Sequence, residues 1–152
     1  MLQINTAAPD FEAKLSNGEY FRLSDFKHRS YVILYFYPKD FTAGCTLEAK
    51  KFRDHYDELL AMHAQVFGVS FDSRESHQRF AESCSLPFPL IADGEKKIAF
   101  LYDAVWFGGF ASKRITYVID REGIIRGAFH YEMRIKNHSE QAIKLIQSLQ
   151  LK

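Results

Sequence analysis

This sequence of 152 residues has few cysteines, no long apolar run and no excess of either charge. Its two cysteines are too few for a disulfide scaffold, which favours a reducing compartment and a reactive rather than structural thiol. The longest apolar run, residues 31–37, is too short to cross a bilayer. The first residues lack a basic stretch followed by an apolar segment, so we expect no secretory signal and a cytoplasmic protein.

The charges are nearly balanced, with 20 Lys and Arg against 19 Asp and Glu and a formal net charge of +1. This balance does not favour a nucleic acid or membrane partner, and small or neutral substrates fit it better. Glycine and proline number eight and four, too few for a collagen-like or disordered chain. Because 47% of the residues are hydrophobic, we predict a single domain over residues 1–152.

Hydrophobic patterns alternate between strand and helix along the chain. The run Tyr31–Tyr37 predicts a central strand, because it is apolar throughout and rich in β-forming residues. The pattern then predicts a helix over Ala43–Leu60, a strand over Val66–Phe71 and a helix over Arg74–Cys84 with Ser73 as N-cap. We also predict a hairpin within Asp10–Arg22, an extended segment over Pro87–Leu90 and a short helix over Glu95–Tyr102. Two strands, Ile115–Ile119 and Ile124–Phe129, are joined by a turn at 120–123. The last predicted helix covers His138–Leu149, with a capping box at Asn137 and Glu140. This order predicts an α/β fold with a central mixed sheet flanked by helices, a thioredoxin-like core with an added N-terminal β-hairpin.

Cys45 lies where the central strand gives way to the first long helix. Ligands of open α/β sheets bind at such strand ends, and a helix N-terminus offers free N–H groups and a positive dipole end. Both features stabilise an anion, so they favour the thiolate, which is the nucleophilic form of cysteine. Cys45 is therefore the predicted catalytic nucleophile, although a free cysteine is most often a buried small hydrophobe.

Several neighbours of Cys45 have a predicted role in the same site. Thr42 can direct its hydroxyl at the sulfur or at substrate, and it is equally suited to capping the helix. Gly44 allows a ligand to approach the backbone closely, and Pro38 fixes the exit from the strand and can shield the sulfur. Glu48, one helical turn on, would destabilise the thiolate unless a cation were close, and Arg114 before the strand Ile115–Ile119 is the candidate.

The segment Pro38-Lys-Asp-Phe-Thr-Ala-Gly-Cys45 resembles the peroxiredoxin signature Pro-x-x-x-Thr-x-x-Cys. The longer stretch Phe36–Glu48 and the segments Phe52–Glu58, Ser70–Ser73, Leu86–Leu90 and Arg114–Asp120 are similar to the bacterioferritin-comigratory-protein or PrxQ group. The resemblance covers the chain from about Pro9 to the last helix.

This resemblance implies a thiol peroxidase that reduces hydrogen peroxide and small alkyl hydroperoxides through a Cys45 sulfenic acid. Thr42 and backbone amides would orient the peroxide, and Arg114 would stabilise the charges of the reaction. The implied reductant is thioredoxin, glutaredoxin or a low-molecular-weight thiol, with no metal or organic cofactor. We expect a monomer or a weak homodimer.

Three departures from the group affect this expectation. Lys50 stands where many members have a second cysteine, and Ala43 stands where the family often has proline. The segment Tyr102–Ser112 is short and aromatic, which leaves the substrate preference open. Cys84 is a candidate resolving thiol on the second helix, but it lies about one turn further along than in relatives. The default prediction is therefore a one-cysteine enzyme recycled by an external thiol.

Other functions fit the sequence less well. The six histidines lack the spacing of metal ligands and are expected to be surface or packing residues. A dithiol oxidoreductase would need a second cysteine where Glu48 stands, and His55 is too far along the helix to serve a Cys-His hydrolase. The alternative that stays open is a redox sensor or thiol relay, in which Cys45 is oxidised without efficient turnover.

Overall fold

The computed structural model describes residues 1–151 and has an α/β architecture. Its strands are β1 Glu12–Lys14, β2 Tyr20–Arg22, β3 Tyr31–Phe36, β4 Ala64–Ser70, β5 Leu90–Ala92, β6 Ile115–Ile119 and β7 Ile125–His130. Its α-helices are α1 Ala43–Asp54, α2 Tyr56–Ala61, α3 Arg74–Ser83, α4 Lys97–Leu101 and α5 Lys136–Gln150. None of the helices within residues 1–151 has the length and apolar character needed to cross a membrane.

The main sheet has five strands in the order β5-β4-β3-β6-β7. Strand β3 is central and buried along its whole length, which explains why its sequence is apolar at every position. It pairs parallel with β4 and antiparallel with β6, so the sheet is mixed as predicted. Strands β1 and β2 form the predicted N-terminal hairpin, whose turn contains Gly18 at φ +90°.

The single helix predicted over Ala43–Leu60 is wrong in one respect, because the structure divides it into α1 and α2. The division falls at His55, whose φ and ψ of −99° and 6° leave the helical region. The hydrophobic pattern continues across this break, since Phe52 and Leu59 are both fully buried. Periodicity alone therefore did not reveal the break between the two helices.

Helix α3 begins as predicted, because Ser73 Oγ accepts a hydrogen bond from the Ser76 amide. The capping box predicted for the last helix is wrong. Helix α5 begins at Lys136, two residues earlier, and its N-cap Ile135 has no side-chain capping bond. His138 lies in the first turn of α5 and is fully buried, because it faces the sheet and not the solvent.

Apolar cores form on both faces of the main sheet. Cys45 and Cys84 both belong to the core that includes Tyr35, Tyr37 and Phe52, with side chains from α1, α3 and α5. The opposite face carries a second core in which Phe21 of the hairpin packs against Phe67 of β4. The site built around Cys45 therefore lies on one covered face of the sheet, near one end of β3.

Candidate active site

Cys45 is the third residue of α1, and six residues separate the end of β3 from the start of that helix. Its side chain belongs to the core, and the residue is only 1% exposed. The first amides of a helix have no intrahelical acceptor, so the N-terminal turn of α1 directs donors and a positive dipole end toward the thiol. The position fits a nucleophile that works as an anion.

Arg114 reaches Cys45 because of the strand order. Strand β6 runs antiparallel to β3, and Ile115 pairs with Phe36, so the residue before β6 lies beside the point where the chain leaves β3. Arg114 Nη1 lies 3.4 Å from Cys45 Sγ, and only 7% of the residue is exposed. The candidate cation predicted from the sequence is therefore in contact with the Cys45 sulfur.

Gly44 provides space for this contact. A methyl group at Gly44 would lie 3.1 Å from Arg114 Nη2, closer than ordinary van der Waals contact. From the sequence, we predicted that a ligand would approach closely at this glycine. In the structure the group that approaches most closely is the Arg114 guanidinium.

Glu48 shares Arg114 with Cys45. Its Oε1 accepts a hydrogen bond of 2.8 Å from Arg114 Nη1, and its side chain is 1% exposed. Desolvation raises the pKa of Glu48 to about 8, because burial outweighs the opposing attraction of Arg114. Burial opposes the charge on Arg114, but Glu48 and Cys45 outweigh it and raise the pKa of Arg114. Burial therefore favours the neutral form of Glu48, and the charge of Arg114 also faces the sulfur.

His138 lies on the far side of Glu48. Its Nε2 is 3.6 Å from Glu48 Oε2 and 2.9 Å from the Tyr131 carbonyl oxygen, and its Nδ1 is 2.7 Å from Thr116 Oγ1. Burial lowers the pKa of His138 to about 4, so the ring is neutral. Thr116 then donates to Nδ1, and the ring donates to Tyr131. The sequence analysis missed this contact, although His138 is in helical phase with the buried Ala142 and Ile146.

Thr42 occupies the N-cap position of α1, as predicted, with extended φ and ψ of −75° and 153°. Its hydroxyl does not cap the helix and donates instead to the Lys39 carbonyl, 2.8 Å away. Thr42 is exposed, and its oxygen keeps acceptor capacity that the Lys39 contact does not use. Pro38 directly follows the buried Tyr37 and is half-buried at the start of the same loop.

A buried polar network that the sequence did not predict surrounds Asp40 in this loop. The carboxylate contacts Tyr37, Ser76 and His77. Asp40, His77 and Asp72 place three metal-ligating atoms within 4.8 Å of one another. These atoms already bond to neighbouring protein groups, so the cluster is a satisfied hydrogen-bond network and not a set of free ligands.

Cys84 ends α3 as its C-cap residue and is 3% exposed. Desolvation raises the pKa of its thiol, although Lys50 and Arg53 oppose this shift. Lys50, which stands where the family often has a cysteine, therefore lies close enough to influence Cys84. Both cysteines are free thiols in this structure.

The aromatic segment 102–112 connects to the site through a chain of contacts. Trp106 packs on His130 at 5.7 Å between ring centroids, and His130 Nε2 lies 2.7 Å from Glu132 Oε2. Glu132 in turn accepts a hydrogen bond of 2.8 Å from the Arg114 amide. Phe107 is almost fully exposed at the tip of the segment.

The chain is similar to known proteins over most of its length. A model of the AhpC/TSA family matches residues 4–128. Peroxiredoxin Bcp of Bacillus subtilis is 39% identical over 97% of this chain and 97% of its own length. Chloroplastic peroxiredoxin Q of Populus jackii is 37% identical over 94% of this chain and 67% of its own length. The crystal structure of peroxidoxin BcpB from Mycobacterium tuberculosis gives a TM-score of 0.91 at 28% identity, covering 98% of this chain and 99% of that one.

The chain belongs to the AhpC/TSA family. Its similarity to the Bcp and peroxiredoxin Q proteins confirms the predicted group and the thioredoxin-like fold with its added hairpin. The protein is a peroxiredoxin, a thiol-dependent peroxidase that acts on peroxides and is recycled by thiols. The alternative of a redox sensor without turnover is not favoured.

Proposed function

We propose that Cys45 reduces hydrogen peroxide and small alkyl hydroperoxides and is then recycled by an external thiol. The contact of 3.4 Å between Arg114 Nη1 and Cys45 Sγ, at the N-terminus of α1, carries this proposal. A buried guanidinium and a helix dipole together stabilise a thiolate in a site that solvent barely reaches. The proposed reductants are thioredoxin, glutaredoxin or a low-molecular-weight thiol.

In the first step, the Cys45 thiolate attacks one oxygen of the peroxide and the O–O bond breaks. The other oxygen leaves as alkoxide or hydroxide and takes up a proton, while Cys45 becomes a sulfenic acid. Arg114 donates to the oxygens as charge moves from sulfur to the leaving group, and the Thr42 hydroxyl orients the peroxide. Pro38 and Gly44 act as supports, the first by fixing the loop and the second by admitting the guanidinium.

In the second step, an external thiol attacks the sulfenic sulfur, releasing water and forming a mixed disulfide. A second thiol then restores the Cys45 thiol and leaves as the disulfide. In total, an alkyl hydroperoxide and two thiols become one alcohol, one water and one disulfide, whereas hydrogen peroxide and two thiols become two waters and one disulfide. The raised pKa of Cys84 and its burial in the core disfavour this thiol as the resolving group.

The test is to give reduced protein one equivalent of hydrogen peroxide with a sulfenic-acid trap, and to map both cysteines by mass spectrometry. We expect a trapped adduct on Cys45 and a free thiol at Cys84. The variant Cys84→Ser should turn over at the wild-type rate with dithiothreitol. A disulfide between the two cysteines would overturn the one-cysteine proposal alone, whereas an unreactive Cys45 would overturn its assignment as nucleophile.

Arg114→Lys tests the cationic partner. Lysine keeps the charge but replaces the planar guanidinium, whose Nη1 contacts both the sulfur and Glu48, with a compact ammonium group. We expect the second-order rate constant with hydrogen peroxide to fall by about 10². Arg126→Lys is the matched control, because Arg126 is a partly exposed arginine paired with Asp120 and remote in the chain from Cys45. Equal rates for both variants would contradict the proposed role of Arg114.

A further inference from the structure

Asp40 is a buried carboxylate within the segment 37–42, which we call the cysteine loop. Its side chain is 1% exposed, and both carboxylate oxygens have hydrogen-bond partners. Oδ1 accepts from the Tyr37 hydroxyl at 2.6 Å, and Oδ2 accepts from Ser76 Oγ at 2.8 Å and lies 2.8 Å from His77 Nδ1. A carboxylate with this many close donors is held in one position, because moving it would leave several buried groups unpaired.

His77 connects this carboxylate to the sheet. Its side chain is fully buried on α3, and its Nε2 lies 2.9 Å from the Ile91 carbonyl oxygen of β5. The Ile91 carbonyl oxygen and the Asp40 carboxylate both accept, so the ring donates from Nε2 to Ile91 and from Nδ1 to Asp40 and is an imidazolium beside the carboxylate. The backbone of the loop is fixed as well, since the Asp40 amide donates to Asp72 Oδ2 over 2.9 Å. Side chain and main chain of one loop residue are thus both tied to elements outside the loop.

The residue after this anchor has a backbone conformation that needs support. Phe41 has φ of +65°, in the left-handed region that side chains other than glycine rarely adopt. Its ring is half exposed and packs on Phe80 of α3 at 5.2 Å. The turn at Phe41 sets the direction of Thr42 and of the first turn of α1, which are the groups that would meet a peroxide. The hydrogen bonds that fix Asp40 therefore also fix the position of these groups.

We infer that Asp40 and His77 are positioning residues of the peroxidase reaction, whose buried contact holds the cysteine loop in its reactive conformation. This inference rests on the proposed function, because it concerns the same nucleophile. Neither residue touches the sulfur. Both act through the loop that carries Thr42 and leads into α1.

Two substitutions of His77 separate this role from simple stability. Asparagine places its amide nitrogen near the position of Nδ1, so His77→Asn retains a donor to Asp40 and loses the bond to Ile91. Glutamine places its amide nitrogen near Nε2, so His77→Gln retains the bond to Ile91 and loses the donor to Asp40. Each variant loses one buried hydrogen bond, but only the second releases the loop.

The measurement compares the rate of Cys45 with hydrogen peroxide and its rate of alkylation by iodoacetamide. Alkylation needs a reachable thiolate but no group that orients a peroxide. We expect His77→Gln to lower the peroxide rate constant by about 10-fold or more while alkylation changes little, and His77→Asn to stay within about 3-fold of wild type on both. Equal peroxide rates for the two variants, or a parallel loss of both reactions, would overturn the inference.

Should His77→Gln not fold, Ser76→Ala gives the same comparison with a smaller change. It removes one donor to Asp40, whereas Ser73→Ala removes the cap of the same helix without touching Asp40. The inference requires the peroxide rate to fall only for Ser76→Ala, and equal rates for the two would overturn it. A wild-type protein that does not react with peroxide would instead refute the proposed function.

Discussion

Arg114 Nη1 donates to Glu48 Oε1 over 2.8 Å in the interior of the protein. The same nitrogen faces Cys45 Sγ, so one cation serves two acidic groups. Desolvation raises the pKa of Glu48 to about 8, so burial favours the neutral form of this carboxyl. If Glu48 were ionised, it would repel the thiolate and compete with it for the same guanidinium.

The first prediction is a fall in reactivity on the alkaline side that depends on Glu48. As the pH rises through about 8, wild-type Glu48 loses its proton and the rate of Cys45 with peroxide should decline. Glu48→Gln keeps an acceptor for Arg114 but cannot ionise. We expect its rate not to decline on the alkaline side, as measured by stopped-flow kinetics between about pH 5 and about 9.5. A decline of the same size in both proteins would assign it to another group.

The free energy of unfolding should depend on the same ionisation of Glu48. A carboxyl whose folded pKa is raised stabilises the folded state most at low pH, and this contribution is lost as the pH rises through the folded value. The free energy of unfolding of wild type, relative to Glu48→Gln, should therefore decrease between about pH 4.5 and about pH 8. Urea unfolding of both proteins across this range measures the difference, and a constant difference would contradict the raised pKa.

The second prediction concerns the space at Gly44. Gly44→Ala would put a methyl group 3.1 Å from Arg114 Nη2 and displace the guanidinium. Because small displacements of catalytic groups are costly, we expect the peroxide rate constant to fall by about 10-fold. Gly94→Ala is the matched control, since a methyl group there meets no atom within 4 Å. Wild-type kinetics for Gly44→Ala would mean that the close approach of Arg114 is dispensable.

The parts of the fold that sequence could predict are those set by local pattern. The apolar run of β3, the Ser73 cap of α3 and the turn between β6 and β7 were each visible in a few neighbouring residues. The break at His55 and the start of α5 at Lys136 depend on packing between distant elements, and the predictions there were wrong. Tertiary contacts decide such boundaries more than intrinsic propensity does.

The candidate site divides in the same way. Cys45, Thr42 and Gly44 share one segment, so their proximity follows from the sequence itself. Arg114 was predicted from the need for a cation, and the antiparallel pairing of β3 and β6 is what brings it close. Asp40 and His77 are separated by 37 positions in the chain and meet only because α3 returns across the cysteine loop. No local pattern contains that information.

The third prediction compares two neighbouring tyrosines of the core. Tyr35 and Tyr37 are both fully buried and stack at 5.4 Å between ring centroids, and burial raises the pKa of each hydroxyl well above its ordinary value. Within residues 1–151, the Tyr35 hydroxyl has no hydrogen-bond partner, whereas the Tyr37 hydroxyl donates to Asp40 Oδ1 over 2.6 Å. The same chemical change should therefore have different effects on the free energy of unfolding at the two positions.

Tyr35→Phe removes an unpaired polar group from the core and should leave the free energy of unfolding unchanged or raise it by about 1 kcal/mol. Tyr37→Phe leaves a buried carboxylate oxygen without its donor and should lower that free energy by about 1–3 kcal/mol. Equilibrium unfolding in urea measures both, with similar m-values indicating that the unfolded states are comparable. Equal losses of unfolding free energy for the two variants would contradict this prediction. They would mean that the Tyr35 hydroxyl has a hydrogen-bond partner, such as a buried water, and that burying this hydroxyl has no net cost.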